Sequence, residues 1–220
     1  MGATTDYLKE PLGRFLELTA SPELAPGGGA TAAVTVALAA ALSGMAARFS
    51  ADHLEDAGAL ADRADRLREG AARLARADAA AYGRVLDARR LSGDPDLRRR
   101  RVKNALSDAT DVPLTVAEVG AEVAGLAAHL AQNGNPNLRG DAVCAVLLAA
   151  AGTEAAAVLV ETNLSDGGGF EDSRRARAQE LARSAAAHAR RAREDGSQRG
   201  RYEPRTEPVA SELCPGNDYR

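Results

Sequence analysis

The chain has 220 residues, 45% of them hydrophobic, with 28 basic and 31 acidic side chains and a formal net charge of -3. That length supports one sizeable core, and the charge balance leaves no electrostatic footprint for nucleic acid. Aromatic residues make up only 3% and tryptophan is absent, so the core is built from Ala, Leu and Val, side chains that favour closely packed helices.

Two isolated cysteines, Cys144 and Cys214, provide neither a disulfide framework nor a zinc knuckle and fit a reducing cytoplasm. The N-terminal segment is polar and lacks the apolar core and cleavage site of a secretory signal.

From Asp6 to Leu18 the residues Leu8, Leu12, Phe15 and Leu16 recur at three-four spacing, which predicts an amphipathic first helix. Pro22, Pro26 and the run Gly27, Gly28, Gly29 interrupt it. A second helix begins after the glycines and ends near Phe49. Its stretch Ala30 to Ala47 has no charged residue and is about as long as the shortest bilayer spans. It consists mostly of Ala, Gly, Ser and Thr, which gain little in lipid but permit close helix contact, so a buried central helix is the better reading.

The segment from Asp56 to Arg89 reads as a long charged helix with Leu60, Leu67, Leu74 and Ala81 at seven-residue intervals, a coiled-coil-like stripe. Its companions are Ala64, Ala71, Asp78 and Val85, which places Asp78 on the apolar edge, where a carboxylate is partly buried. After a polar break at Ser92 to Asp96, helix resumes through the basic run Arg98 to Arg101. It meets Pro113, which must kink or restart it, and continues to about Gln132. Asn133, Gly134, Asn135, Pro136 and Asn137 then supply stop signals. Asp141 stands at the start of a fifth, apolar helix reaching Thr162 and is placed to cap it. A sixth, charged helix covers Glu171 to Glu194. From Asp195 onward Gly, Ser, Pro and charge dominate, which predicts a disordered tail over 195–220. With no strand-like alternation and no fixed repeat, the expected fold is all-α: one domain, residues 1–194, as a bundle of about six helices with a kinked fourth.

Three stretches carry a family resemblance. PELAPGGGATAAVTVALAAALSGMAARF resembles the Pro-Gly-Gly-Gly-Ser loop and small-residue helix of the cyclodeaminase/cyclohydrolase family. DAAAYGRVLDARRL is similar to the family's acidic and aromatic pair late in the third helix. DATDVPLTVAEVGAEVAGLAAHLAQNGNPNLRGDAVCAVLLAAAGTEAAAVLVETNL resembles its proline-kinked helix, Gly-Asn…Ser-Asp turn and Ala-rich helix ending in Asn-Leu. The resemblance implies C–N bond chemistry at the amidine-like carbon of a one-carbon tetrahydrofolate adduct, either hydrolysis of methenyltetrahydrofolate or cyclodeamination of formiminotetrahydrofolate. It implies a tetrahydrofolate derivative as substrate, no bound prosthetic group and a homodimer with long helices at its interface. Neither a nucleic-acid partner nor a membrane is expected.

Such chemistry needs a proton-transferring group, donors that orient nitrogens or a developing oxygen, and a slot for a flat pterin. The candidates for proton transfer or charge-assisted binding are Asp78 and Asp141. Pro26, Gly27, Gly28 and Gly29 offer close backbone approach and a helix N-terminus. Asn135 and Asn163 match amides of the family pattern, and His53 stands where the family has a basic stretch. Each has a structural alternative: a helix cap for Asp141, an arginine pair for Asp78, a turn for the glycines and helix termination for the asparagines. His53, His129 and His188 lack metal-ligand spacing, so no metal site is expected. Ala30 and Gly140 replace two serines of the pattern and Leu159 replaces an asparagine, which keeps a non-folate metabolite or a non-catalytic binding role open as alternatives.

Overall fold

The computed structural model describes residues 9–22, 26–169 and 171–199. Among these described residues six α-helices follow one another: α1 (Leu12–Ala20), α2 (Gly28–Arg48), α3 (Ala57–Arg90), α4 (Pro95–Asn133), α5 (Arg139–Asp166) and α6 (Ser173–Arg199). A single 3-10 turn, Pro136–Leu138, joins α4 to α5. Short connections between long helices make sequence neighbours antiparallel, so α2 and α4 run one way and α3 and α5 the other.

Helix α2 is the centre of the bundle and packs against α3, α4 and α5, while α6 covers α4 and α5. Its buried residues Ala30, Ala33, Val36, Ala37 and Ala40 meet Ala71 and Ala75 of α3, Val116, Val123 and Ala124 of α4, and Ala149 and Ala156 of α5. The seven-residue stripe of α3 is present, but the alanines at its centre are buried, while Leu60, Leu67 and Leu74 pack at their flanks. Alanine at the seam lets helix axes approach more closely than leucine would. The same demand explains two glycines: a Cβ on Gly152 would stand 2.7 Å from Val36 Cγ2, and one on Gly120 would stand 2.3 Å from Thr153 Oγ1. The buried hydroxyls of Ser43, Thr110 and Thr153 each donate to a carbonyl one turn earlier, so none is left unsatisfied in the core.

Helix α4 neither stops nor restarts at Pro113, which is buried within it. Its N-terminus lies earlier than the polar composition suggested, because Pro95 occupies the first turn, where a missing N–H costs nothing, and Asp94 accepts from the Asp96 N–H. Conversely α1 begins at Leu12, not Asp6, because Pro11 enters in extended geometry and sets the start. Residues 1–8 lie outside the described part. Helix α6 runs on to Arg199, past the expected boundary at residue 194; residues 200–220 of the expected tail lie outside the described residues. Asp141 sits in the first turn of α5 but makes no side-chain cap there, and its carboxylate at that helix end complements the macrodipole instead.

Three segments, Gly28–Arg48, Pro95–Asn133 and Pro136–Asp166, are long and apolar enough to cross a membrane by length and composition. In α2 most of that apolar surface faces the neighbouring helices, as expected of a central helix. In α5 more of it faces outward.

Candidate active site

The triple glycine and Asp78 are brought together by the antiparallel pairing of α2 with α3. Gly27 is the N-cap residue of α2 and supplies no side-chain cap, although the first N–H groups of a helix have no partner within it. Asp78 fills this role from the neighbouring helix, its carboxylate accepting the Ala30 N–H. The approach requires Gly29, since a Cβ there would lie 2.0 Å from Asp78 Oδ1. Burial pushes the Asp78 carboxyl above the usual carboxylate value, and the Ala30 N–H offsets that only in part. The alternative of an arginine partner for Asp78 is not realised among the described residues: no ion pair joins it.

In front of Asp78 lies a cavity of about 420 Å³, floored by Gly27, Gly28 and Gly29 and walled by Tyr82, Pro113, Leu159 and Asn163, with Arg89 and Asp166 at its edge. Asp78, Tyr82 and Arg89 come from one face of α3; Leu159, Asn163 and Asp166 come from one face of α5. Asn163 is half-buried and its Nδ2 donates to the Ala109 carbonyl at 3.3 Å. This is the carbonyl that a residue at position 113 would ordinarily bond through its N–H, and proline has none. The arrangement therefore combines a desolvated carboxylate, a helix N-terminus, an anchored amide and an aromatic ring around a space large enough for a flat heterocycle.

The remaining candidates lie elsewhere. Pro26 is buried beside the cavity and lines an adjoining groove with Thr31 and Ala155. Asn135 is at the opposite end of the bundle, where its N–H donates to Ser50 Oγ, its Nδ2 to the Phe49 carbonyl, and its Oδ1 accepts from Asn137. Asp141 and exposed His53 belong to that same end. Along α5, Asp141 and Asn163 are separated by roughly 33 Å at 1.5 Å per residue. One cleft within a single chain cannot hold both, which corrects the expectation of a shared site. Gly140 is likewise remote from the cavity, whereas Leu159 lines it. Tyr82, Arg89 and Asp166 were absent from the sequence candidates, although Tyr82 follows Asp78 by one helical turn and Asp166 follows Asn163 by three residues, spacings that put each pair on one face. Among the described residues, no three His, Cys, Asp or Glu side chains converge as metal ligands.

This fold and cavity define an all-helical enzyme with a carboxylate held at a helix N-terminus. The sequence model of the family described as formiminotransferase-cyclodeaminase matches residues 11–185, and the chain belongs to that family. It is 34% identical over 164 residues to a methenyltetrahydrofolate cyclohydrolase of Methylorubrum extorquens, a match covering 70% of this chain and 79% of the relative. The crystal structure of formiminotetrahydrofolate cyclodeaminase from Thermotoga maritima is similar with a TM-score of 0.77 at 26% identity, covering 86% of this chain and 96% of that one.

Proposed function

We propose that the protein makes and breaks C–N bonds of a one-carbon tetrahydrofolate adduct, and that its reaction is hydrolysis of methenyltetrahydrofolate to formyltetrahydrofolate in the cavity between α2, α3, α4 and α5. The observation that carries this reading is the half-buried Asp78 carboxylate, held against Gly29 by the Ala30 N–H and facing a cavity walled by Tyr82 and Asn163. Of the two named relatives, the cyclohydrolase has the higher sequence identity.

Hydrolysis begins with water adding to the methenyl carbon while Asp78 takes one of the water's protons. The neutral adduct then loses its hydroxyl proton as one C–N bond breaks and the departing ring nitrogen receives a proton. The balance is one water consumed and one proton released. A carboxylate whose proton affinity is raised by burial is better matched to both transfers than a solvated one. Asn163, fixed through its Nδ2, presents an amide that orients a polar edge of the pterin, and Tyr82 offers a face for its ring. Gly27 and Gly28 let the ligand approach the backbone closely at the positive end of α2.

On this reading Asp78, not Asp141, is the acid–base group. The protein acts as a cytoplasmic homodimer, with the apolar outward faces of α2 and α5 covered by a second copy, and a bend of α4 at Pro113 shapes the cavity wall.

The test is the loss of methenyltetrahydrofolate absorbance against the uncatalysed rate. Wild type accelerates it, Asp78→Asn loses roughly a hundredfold or more, and Asp141→Asn stays close to wild type. No acceleration by wild type, together with no folate binding, overturns the reading in favour of a different metabolite. A collapse in Asp141→Asn alone moves the chemistry to the other end of the bundle.

A further inference from the structure

The first turn of α2 is flanked by two side chains of opposite character. Asp78 stands against Gly29 and Leu159 against Gly28, where an added Cβ would lie 3.9 Å from each of the two leucine methyl carbons. Consecutive helical residues point about 100° apart, so the carboxylate and the methyl groups border neighbouring sides of one helix end, and both line the reaction cavity. The N–H groups of Gly28 and Gly29 belong to that first turn and have no acceptor within their own helix. Part of the accepting capacity of Asp78 is already taken by the Ala30 N–H. On the α5 wall the Thr162 hydroxyl turns back to the Val158 carbonyl. The next acceptors there, Asn163 and Asp166, lie roughly 6 and 10 Å beyond Leu159 along the helix. This end of the cavity therefore offers backbone donors, one partly engaged carboxylate and an apolar surface.

From this inventory we infer that Leu159 is a specificity-determining residue, one that admits an oxygen nucleophile at the reacting carbon and rejects a nitrogen leaving group. The inference rests on the folate reading of the cavity and separates the two reactions open to such an adduct. In hydrolysis, water bonds through oxygen to the methenyl carbon and Asp78 takes one proton. The hydroxyl that remains on carbon has one hydrogen to donate, toward Asp78, and lone pairs that accept from a first-turn N–H of α2. In cyclodeamination, the second folate nitrogen bonds to the carbon of a protonated formimino group and its proton passes to the exocyclic nitrogen. Ammonia then leaves with the C–N electron pair, so the cation is converted to the methenyl cation and one ammonia. Before it leaves, that nitrogen carries three N–H donors and no lone pair. Asp78 accepts one of them, the backbone N–H groups of α2 oppose a second donor, and the Leu159 methyl groups give the third no partner. Buried donors left unpaired cost far more than a made bond returns, so the same wall that satisfies a hydroxyl penalises an ammonium-like group.

The experiment measures kcat/KM for two substrates: methenyltetrahydrofolate, by loss of its absorbance, and formiminotetrahydrofolate, by release of ammonia. Wild type favours the methenyl compound by roughly a hundredfold. Leu159→Asn, close to leucine in shape, places an acceptor opposite Asp78 and narrows that ratio by about tenfold, with ammonia release rising. Leu159→Gln, a second polar variant, narrows it in the same direction, whereas Leu159→Met, apolar and of similar volume, keeps the wild-type ratio. Equal use of the two compounds by wild type, or a ratio that both polar variants leave unchanged, overturns the inference while the folate cavity stands. So does a ratio that Leu159→Met narrows as far as Leu159→Asn, because shape and not polarity would then set the choice. Turnover of neither compound by wild type removes the folate reading itself, and the role of Leu159 with it.

Discussion

Asn163 donates its side-chain amide to the Ala109 carbonyl, replacing across a helix interface the backbone hydrogen bond that Pro113 denies to α4. One residue thereby anchors α5 to α4 and lines the reaction cavity. A double-mutant cycle separates the structural part. Asn163→Ala alone leaves a carbonyl without its donor and lowers stability by about 1 kcal/mol. In a Pro113→Ala background the restored N–H serves Ala109, so the same substitution costs less. The coupling is read from denaturant unfolding; strictly additive effects would mean that Asn163 does not stand in for the missing bond.

The contact between Gly29 and Asp78 leaves no room for a methyl group. Gly29→Ala either displaces the carboxylate or pushes α2 from α3, lowering stability by about 1–3 kcal/mol together with activity. Gly27→Ala, where an added Cβ would meet nothing within 4 Å, has little effect on stability. Unfolding curves for the two variants decide this, and equal losses would place the cost in the helix terminus as a whole, not in the Asp78 contact.

Much of the cavity was legible from the residues alone, and the reasons are local. Asp78 broke an apolar stripe at helical spacing, and the glycine run preceded a helix with no side-chain cap, so each advertised an unusual environment. Asn163 lay one helical turn from Leu159 in the same pattern. What remained hidden was which ends of the helices meet. Asp141 and Asn163 begin and end the same helix, and motif order along the chain says nothing of that separation until the helix is taken as a rigid rod. The role of Pro113 was equally out of reach, because it depends on which side chain of another helix reaches Ala109.

Asp78 is also expected to oppose stability where it is ionised. Its folded-state pKa is raised above the unfolded value by burial, so its favourable contribution exists below the ordinary carboxylate range and is lost as pH rises through the folded value. Above the ordinary carboxylate range the folded protein therefore bears a desolvation cost at this acid that Asp78→Asn removes, while the amide oxygen can still accept from Ala30. The variant has a higher Tm than wild type at pH 7, and the difference narrows as pH falls through the raised folded value and closes toward about 4, the unperturbed carboxylate value. A variant less stable at pH 7 would mean that the carboxylate's bond to the α2 N-terminus outweighs its desolvation.

The outward surface of α2 and α5 bears on assembly. Leu38 is 55% exposed, Phe49 61% and Val158 58%, and exposed Cys144 and Ala151 continue the α5 side. Such a patch on long, closely packed helices matches the interface proposed for the homodimer, where a two-fold axis places the same residues on both sides. A charge introduced there is paired with its own copy across the axis and desolvated. Leu38→Asp/Val158→Asp is thus expected to convert the protein to a monomer in sedimentation while retaining its helical circular dichroism. Leu12→Asp, on α1 and more exposed still at 68%, leaves the assembly unchanged. A wild type that sediments as a monomer would overturn this assignment, and dissociation by Leu12→Asp alone would move the interface to α1.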